Sequence, residues 1–454
     1  MTLLRSGLAS GLRSGPGPGP GPASPDAMVV ERPEIGQREF IALVTTLMAM
    51  GALAIDLMLP AFPDIRAEFG MPADSSQVGW IVTAFFLGLA VGPWLYGPIS
   101  DRYGRRRPLF IGMGLYIVAA GVASVAPSFW WIVVARFVWG LGAAAPRSLS
   151  LAMIRDRFEG DGMARLMSMI MAVFLLVPIL APSVGAGLNA IAPWRVVFWL
   201  PAVLALGITV WAVQRLPETL TDARRRPFTR ASLLEASRAV VSNRQTMCFT
   251  LAITFLFGVM TSYLASSELI VEDVYGYGHY FPLFFGAVAI LLAASALNNA
   301  RLVSRVGITV LVRRMAVIGV LLAALLAVVS FTNGGRPNFW LFTAALAITV
   351  PLAQGLVPNA NTAAMMPVPH VAGTAAAIIG TITTAGGALL GGLVSGAFDG
   401  TVRPFALGVL TFMSIAAALI LFGATTRGHD DRPGHRARRI AAEANVSLDA
   451  ASIN

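Results

Sequence analysis

The sequence predicts an all-α polytopic membrane protein, with twelve transmembrane helices arranged as two six-helix pseudo-repeats. Three observations predict it. First, 56% of the 454 residues are apolar and only 12% are charged, about half the ~25% charge of a soluble domain. A soluble fold of this length has too little interior to hide that much apolar surface. Second, the apolar residues fall in runs of about 20, the length that crosses a bilayer. Third, a polar stretch from Arg215 to Gln245 divides those runs six and six. A soluble enzyme and a disordered chain are thereby excluded. So is a disulfide scaffold, since Cys248 is the one cysteine.

In order along the chain, 1–38 is polar and alternates Gly with Pro between Gly15 and Pro22, so a disordered cytoplasmic tail is expected. The first six-helix half is expected over 39–214, with spans near 40–62, 78–97, 109–127, 130–152, 166–189 and 194–213. A cytoplasmic linker follows over 215–245. Its Leu233, Leu234, Val240 and Val241 fall at helical spacing beside Arg230, Arg238 and Arg244. That pattern reads equally as a helix on the inner membrane surface or as a solvated connection. The second half is expected over 246–423, with spans near 247–267, 281–300, 310–331, 338–358, 373–396 and 404–423. A cytoplasmic tail, 424–454, closes the chain.

All 33 basic residues are Arg, and the net charge is +10. A charge of this sign suits nucleic acid, but these residues sit in short loops between apolar runs, which points to topology instead. With both termini in the cytoplasm, 27 of the 33 lie on the inner side. Only Arg66, Arg195, Arg336 and Arg403 lie outside, and Arg136 and Arg147 remain within a span. The Arg, Ala and Gly bias suggests a GC-rich bacterial genome and hence a bacterial inner membrane.

The halves carry traces of a repeat. After the second span comes Gly97-Pro-Ile-Ser-Asp101-Arg102-Tyr-Gly104-Arg105-Arg106-Arg107. After the eighth comes Ala300-Arg301-Leu-Val-Ser304-Arg305-Val-Gly307. Arg102/Arg305 and Gly104/Gly307 share an offset of 203 residues. An acid followed by a tight basic turn suits a loop that braces an inner gate; the plainer reading is a topogenic basic loop. Spans 5 and 11 are both rich in small residues, with Pro178, Pro182, Gly185 and Gly187 in one and Gly386, Gly387, Gly391 and Gly392 in the other, which suits close helix contact. Two six-helix halves with a site between them is the plan of a secondary transporter.

Three ionisable residues within spans are candidates for function, because a charge in the membrane is costly and needs a reason. Asp56 lies in the outer half of span 1, just before Pro60 and Pro63, which interrupt the helix and supply a hinge. It reads as a carboxyl able to take a proton from outside, or as the cap of a frayed helix end among headgroups. Arg136 in span 4 cannot be neutralised and needs a partner, a wet cavity or backbone carbonyls. Glu268, at the outer end of span 7, reads as a possible second carboxylate or as an interfacial, solvated group. Asn298 and Asn299, at the inner end of span 8, and Asn359 and Asn361, at that of span 10, read as helix caps or bridges before substrate ligands.

These stretches together resemble the major facilitator superfamily. Gly97 to Arg107 is similar to its loop 2–3 motif, with Ile99 where Leu is usual, and the second copy carries Ser304 in place of the acid. Ala54-Ile-Asp56-Leu-Met-Leu-Pro60-Ala-Phe-Pro63 resembles span 1 of the drug:proton antiporter group with twelve spans. Arg136-Phe-Val-Trp139-Gly140-Leu-Gly142-Ala-Ala resembles its span 4 motif, with Trp139 for Gln. Ala181-Pro182-x-x-Gly185 is similar to its span 5 antiporter motif, with Ala181 and Ala186 for two glycines. Trp194-Arg195 and Pro217-Glu218-Thr219-Leu220 also match. Val274-Tyr275-Gly276 and Asn299-Ala-Arg-Leu-Val are similar to the bicyclomycin/chloramphenicol (Bcr/CflA-like) efflux transporters.

The resemblance implies proton-coupled export of small hydrophobic or amphipathic compounds by alternating access, with Asp56 and Arg136 in proton coupling. Proton-coupled uptake or export of one metabolite is the alternative, and a membrane-embedded enzyme or sensor a remote one. No nucleotide-binding motif, zinc-ligand cluster or Ser/His/Asp set is present in the sequence. No enzymatic activity, cofactor or metal is therefore expected. The energy source would be the proton gradient, and the partners a small-molecule substrate, protons and membrane lipid, with the chain a monomer.

Overall fold

A segment in hydrocarbon must satisfy its own backbone hydrogen bonds, so each long apolar run has to become a helix. In the computed structural model every regular element among the described residues, 35–158, 160–220 and 230–423, is helical. The expected tails, except for 35–38, and residues 221–229 of the linker lie outside the described residues. The first half comprises α1 (Gln37–Asp56), a short α2 (Phe62–Glu68), α3 (Gly79–Tyr103), α4 (Arg106–Ser124), α5 (Phe129–Arg157), α6 (Gly160–Ile191) and α7 (Val196–Arg215). The linker contributes α8 (Arg230–Ser242). The second half comprises α9 (Arg244–Leu269), α10 (Phe281–Val306), α11 (Ile308–Ser330), α12 (Phe339–Met365), α13 (Ala372–Gly396) and α14 (Arg403–Gly423).

Eleven helices among the described residues are long and apolar enough to span a bilayer. The twelfth expected position, span 5, is occupied by α6, a 32-residue helix whose Leu176–Ile191 portion is a shorter apolar stretch. Several helices overrun the apolar runs at the arginine-rich end: α3 continues to Tyr103, α5 to Arg157 and α10 to Val306. Gly97, Asp101 and Arg102 are therefore helical, and only Gly104 and Arg105 form the turn. In α8, Val240 is buried while Leu234 and Val241 are exposed, so apolar side chains lie on both the protein-facing and the outward faces.

Glycine sets the helix spacing. Gly88 of α3 and Gly140 of α5 oppose each other. A Cβ on Gly140 would collide with the Phe85 carbonyl oxygen, and one on Gly88 with that of Phe137. Gly142, half a turn on, meets the backbone of Tyr116 and Gly112 on α4. The small residues after Arg136 thus let α3 and α4 close on α5 from two sides. In the second half, Gly386, Gly387 and Gly391 of α13 press on Thr254, Phe257 and Thr261 of α9, and Thr261 Oγ1 donates to the Gly387 carbonyl oxygen at 2.6 Å.

Among the described residues the halves meet along three helix pairs, α3 with α13, α6 with α10 and, less extensively, α3 with α9. On the first seam Gly392 lies against Thr83. Thr381 Oγ1 donates to the Ala90 carbonyl oxygen at 2.8 Å, and Trp94 Nε1 donates to Thr381 Oγ1 at 2.6 Å.

A substitution at Gly140 tests the close approach. Gly140→Ala should lower stability by about 1–3 kcal/mol through overpacking. Gly114→Ala, where a Cβ would meet nothing within 4 Å, should be neutral or stabilise by up to about 1 kcal/mol. Thermal unfolding of the two purified variants in detergent decides.

Candidate functional site

Helix α1 stops at Asp56. The chain turns through Leu57 and Met58, makes a 3-10 turn over Leu59–Ala61 with Pro60 in its first turn, and re-forms as α2 with Pro63 in its first turn. The prolines lack an N–H to continue the ladder, so the break falls where the sequence places it. Asp56 is 4% exposed. It makes no hydrogen bond or ion pair among the described residues. That burial excludes the frayed cap among headgroups. Tyr263 of α9, in the other half, is buried, and its hydroxyl has no hydrogen-bond partner among the described residues. The Tyr263 ring is held by stacking on Phe285 of α10 at 5.4 Å.

Arg136 takes the third of the options open to it. Its side chain is fully buried inside the first half. Nη1 donates to the Ala54 carbonyl oxygen at 3.0 Å and Nε to that of Ile81 at 3.3 Å. The guanidinium also lies over the Phe85 and Trp139 rings, 4.3 and 4.7 Å from their centroids. Carbonyls and aromatic faces therefore hold the charge, and Asp56 is reached only through the α1 backbone two residues before it. Arg147, three turns along α5, is exposed.

Of the span 5 residues, Pro178 and Pro182 lie inside α6. A Cβ on Gly185 would collide with the Leu57 carbonyl oxygen, so α6 presses directly on the chain break beside Asp56. Gly187 has open space around it. The reading that it serves close helix contact is corrected, because that contact belongs to Gly185.

At the arginine-rich end the turn after α3 is tightly bound. Gly104 has φ +92° and ψ 164°, a conformation open essentially to glycine alone, and the Glu218 carboxylate fills the space where a Cβ would stand. Glu218 accepts from the backbone N–H of Arg105 (2.8 Å), Arg106 (3.1 Å), Thr219 (3.0 Å) and Leu220 (3.1 Å). Arg105 pairs with Asp101 at 2.5 Å and Asp156 at 3.0 Å and donates to Ser100 Oγ at 2.9 Å. Burial opposes its charge, but the two carboxylates outweigh that and push its pKa up. Arg106 Nη2 donates to the Val213 carbonyl oxygen at 3.0 Å. Arg102 is exposed and stacks on Tyr103. A Cβ on Gly97 would meet nothing within 4 Å.

The second copy repeats the backbone without the braces. Gly307 has φ +81° and ψ 154°, and nothing fills the space beside it. Arg301 and Arg305 are exposed, and neither has an ion pair among the described residues. Asn299 and Asn359 exchange hydrogen bonds at 3.3 and 2.8 Å, bridging α10 and α12.

Glu268 is buried and takes a two-point contact from Arg66 of α2, Nη1 to Oε2 at 2.9 Å and Nη2 to Oε1 at 2.6 Å. The solvated reading of Glu268 is therefore corrected, and Arg66, counted in the sequence as an outer-loop charge, is buried too. Sequence reasoning also missed Asp156. Its signal was an acid flanked by Arg155 and Arg157 in an otherwise basic inner segment. Glu218 stands in the sequence as a matching residue without a role, and Tyr263 carries no signal there.

A helical bundle of two halves with glycine-packed interiors and buried ionisable groups near their seam defines a multi-pass membrane transporter. The chain belongs to the Major Facilitator Superfamily, whose sequence profile matches residues 42–392. The bicyclomycin resistance protein homolog of Haemophilus influenzae is 27% identical, covering 84% of this chain and 96% of its own. The multidrug resistance protein D of Escherichia coli is 28% identical, covering 78% and 87%. The xylose transporter XylE from E. coli, in a partially occluded inward open conformation, shares the fold with a TM-score of 0.63 over 84% of this chain and 97% of its own, at 14% identity.

The bracing of the turn yields a stability prediction. Glu218→Ala removes the acceptor for four backbone N–H groups and should cost about 1–3 kcal/mol. Arg102→Ala should stay within about 0.5 kcal/mol of the parent. Thermal unfolding in detergent measures both.

Proposed function

We propose that the chain is a proton-coupled exporter of small hydrophobic or amphipathic compounds, a drug efflux transporter of a bacterial inner membrane, working by alternating access as a monomer with both termini in the cytoplasm. The observation that carries the reading is Asp56: a buried carboxyl with no hydrogen bond or ion pair among the described residues, at a helix break. Such a group is expensive in a membrane and suits a proton carrier. The names of the relatives, bicyclomycin resistance protein homolog and multidrug resistance protein D, support drugs as the cargo. The arginine distribution supports the orientation.

In this reading a proton from outside neutralises Asp56 and favours release of substrate; its loss to the cytoplasm restores the binding form. Arg136 holds the Ala54 carbonyl and so sets the end of α1 that carries Asp56. The loop from Asp101 to Arg106 steadies the inner end of the first half, with Arg301, Arg305 and Gly307 at the corresponding place in the second. Gly185 fixes α6 against the break, with Pro178 and Pro182 shaping that helix. One proton moving inward supplies ~2.3 kcal/mol per 100 mV, enough for a gradient of roughly 50-fold in a neutral substrate.

The test is a drug and metabolite panel in an efflux-deficient bacterial host, with and without a protonophore. Drug accumulation should fall when the chain is expressed, and the protonophore should abolish that fall. Efflux indifferent to the protonophore would remove the coupling; transport of one metabolite alone would favour the metabolite reading.

Asp56→Asn should abolish uphill transport while leaving substrate binding or downhill exchange, since Asn keeps the shape of a protonated acid but carries no proton. Binding to the reconstituted parent should weaken as outer pH falls, and the variant should lose that dependence. A variant that still concentrates substrate would move the coupling to another carboxyl.

A further inference from the structure

Arg66 and Glu268 are 202 residues apart and belong to different halves, on α2 and α9. Both side chains are nearly inaccessible, at 3% and 4% exposure, and share two hydrogen bonds in parallel. They lie at the end of the bundle opposite the arginine-rich turn after α3. The same end closes beside them. Ser395 of α13, 1% exposed, donates to the Ala265 carbonyl oxygen of α9 and sits where a Cβ on Gly79 of α3 would stand. A cavity of about 250 Å³ adjoins Glu268, lined in part by Pro60, Pro63, Asn189, Glu272 and His279.

The pair has an energetic peculiarity. Two charges in a dry contact gain much from each other, but losing one partner strands the other in a place that cannot solvate it. The contact is therefore stable while this end is shut, and each ion is better off in water once the end opens. Because the two residues come from different halves, the halves cannot separate at this end unless the pair parts. Asp64, Asp74, Glu272 and Asp273 place further negative charge around it, so an Arg66 released from Glu268 remains among acids.

We propose that Arg66 and Glu268 are positioning residues that latch the outer end of the two halves, and that every transport cycle breaks and re-forms this contact. The proposal rests on the transporter reading and its orientation. It needs no particular substrate.

The experiment is performed on the full chain, with Cys248→Ser and Ser395→Cys placing a single thiol beneath the closed end. A membrane-impermeant maleimide is added outside intact cells, without drug. Labelling of the parent should be slow. Glu268→Gln should label roughly tenfold faster or more, and the charge swap Arg66→Glu with Glu268→Arg should return the rate toward the parent. If Glu268→Gln is not recovered folded, Glu268→Asp serves, because the shorter side chain cannot make both contacts; it too should label faster. An unchanged rate in the Gln or Asp variant, or a folded swap that labels as fast as Glu268→Gln, overturns the latch. Since no drug is present, a latch that behaves as expected in a protein that exports no drug leaves this inference standing and removes only the substrate reading.

Discussion

Hydrocarbon offers no water to a buried charge, so each ionised group within this bundle has to be met by the protein itself. Three arginines meet that demand in three ways. Arg136 is held by two backbone carbonyls and the faces of Phe85 and Trp139, with no carboxylate in contact among the described residues. Arg105 is held by Asp101 and Asp156 at the edge of the membrane. Arg66 is held by Glu268 across the seam between the halves. The differences matter. Carbonyls of neighbouring helices keep Arg136 in one place whatever the halves do, whereas the Arg66 contact exists only while the two halves touch at that end. Against this background Asp56, buried and without a hydrogen bond or ion pair among the described residues, stands out as the carboxyl whose charge the resting structure does not match.

Close backbone approach stiffens each half. Gly88 and Gly140 bring α3 and α5 into backbone contact, Gly142 adds α4, and Gly391 brings α13 onto α9. Helices packed this tightly lose dispersion contacts if they part by even a fraction of an ångström. The seam between the halves mixes contacts of different strength, from the Trp94–Thr381 hydrogen bond and the approach of Gly392 to Thr83 to the two-point contact of Arg66 with Glu268.

The two halves share a backbone but not its reinforcement. Gly104 and Gly307 adopt the same left-handed conformation at the same place in the repeat, because each must end a long helix and start the next within a residue or two. Only the first is gripped by a carboxylate: Glu218 closes over Gly104, while the space beside Gly307 is open. The ionic bracing of the arginine-rich end, among the described residues, therefore belongs to the first half, where Asp156 at the end of α5 and Glu218 beyond α7 tie two segments to one turn.

Composition and run length were enough to set the helical membrane architecture, because twenty apolar residues in hydrocarbon have one way to satisfy their backbone. The break after Asp56 was legible too, since Pro60 and Pro63 lack the N–H groups that a continued helix requires, and the 203-residue offset marked the glycines that end α3 and α10. Partners were not legible. Arg66 reads as a loop charge until the fold carries it to Glu268, two hundred residues away, and Asp156 reads as part of a basic segment until α5 delivers it to Arg105. Gly185 and Gly187 look alike in the sequence, yet only Gly185 faces the chain beside Asp56, because helix rotation is set by packing against neighbours. Local patterns follow from forces along the chain, which the sequence displays; which charge meets which depends on contacts between distant segments, and only the folded bundle decides those.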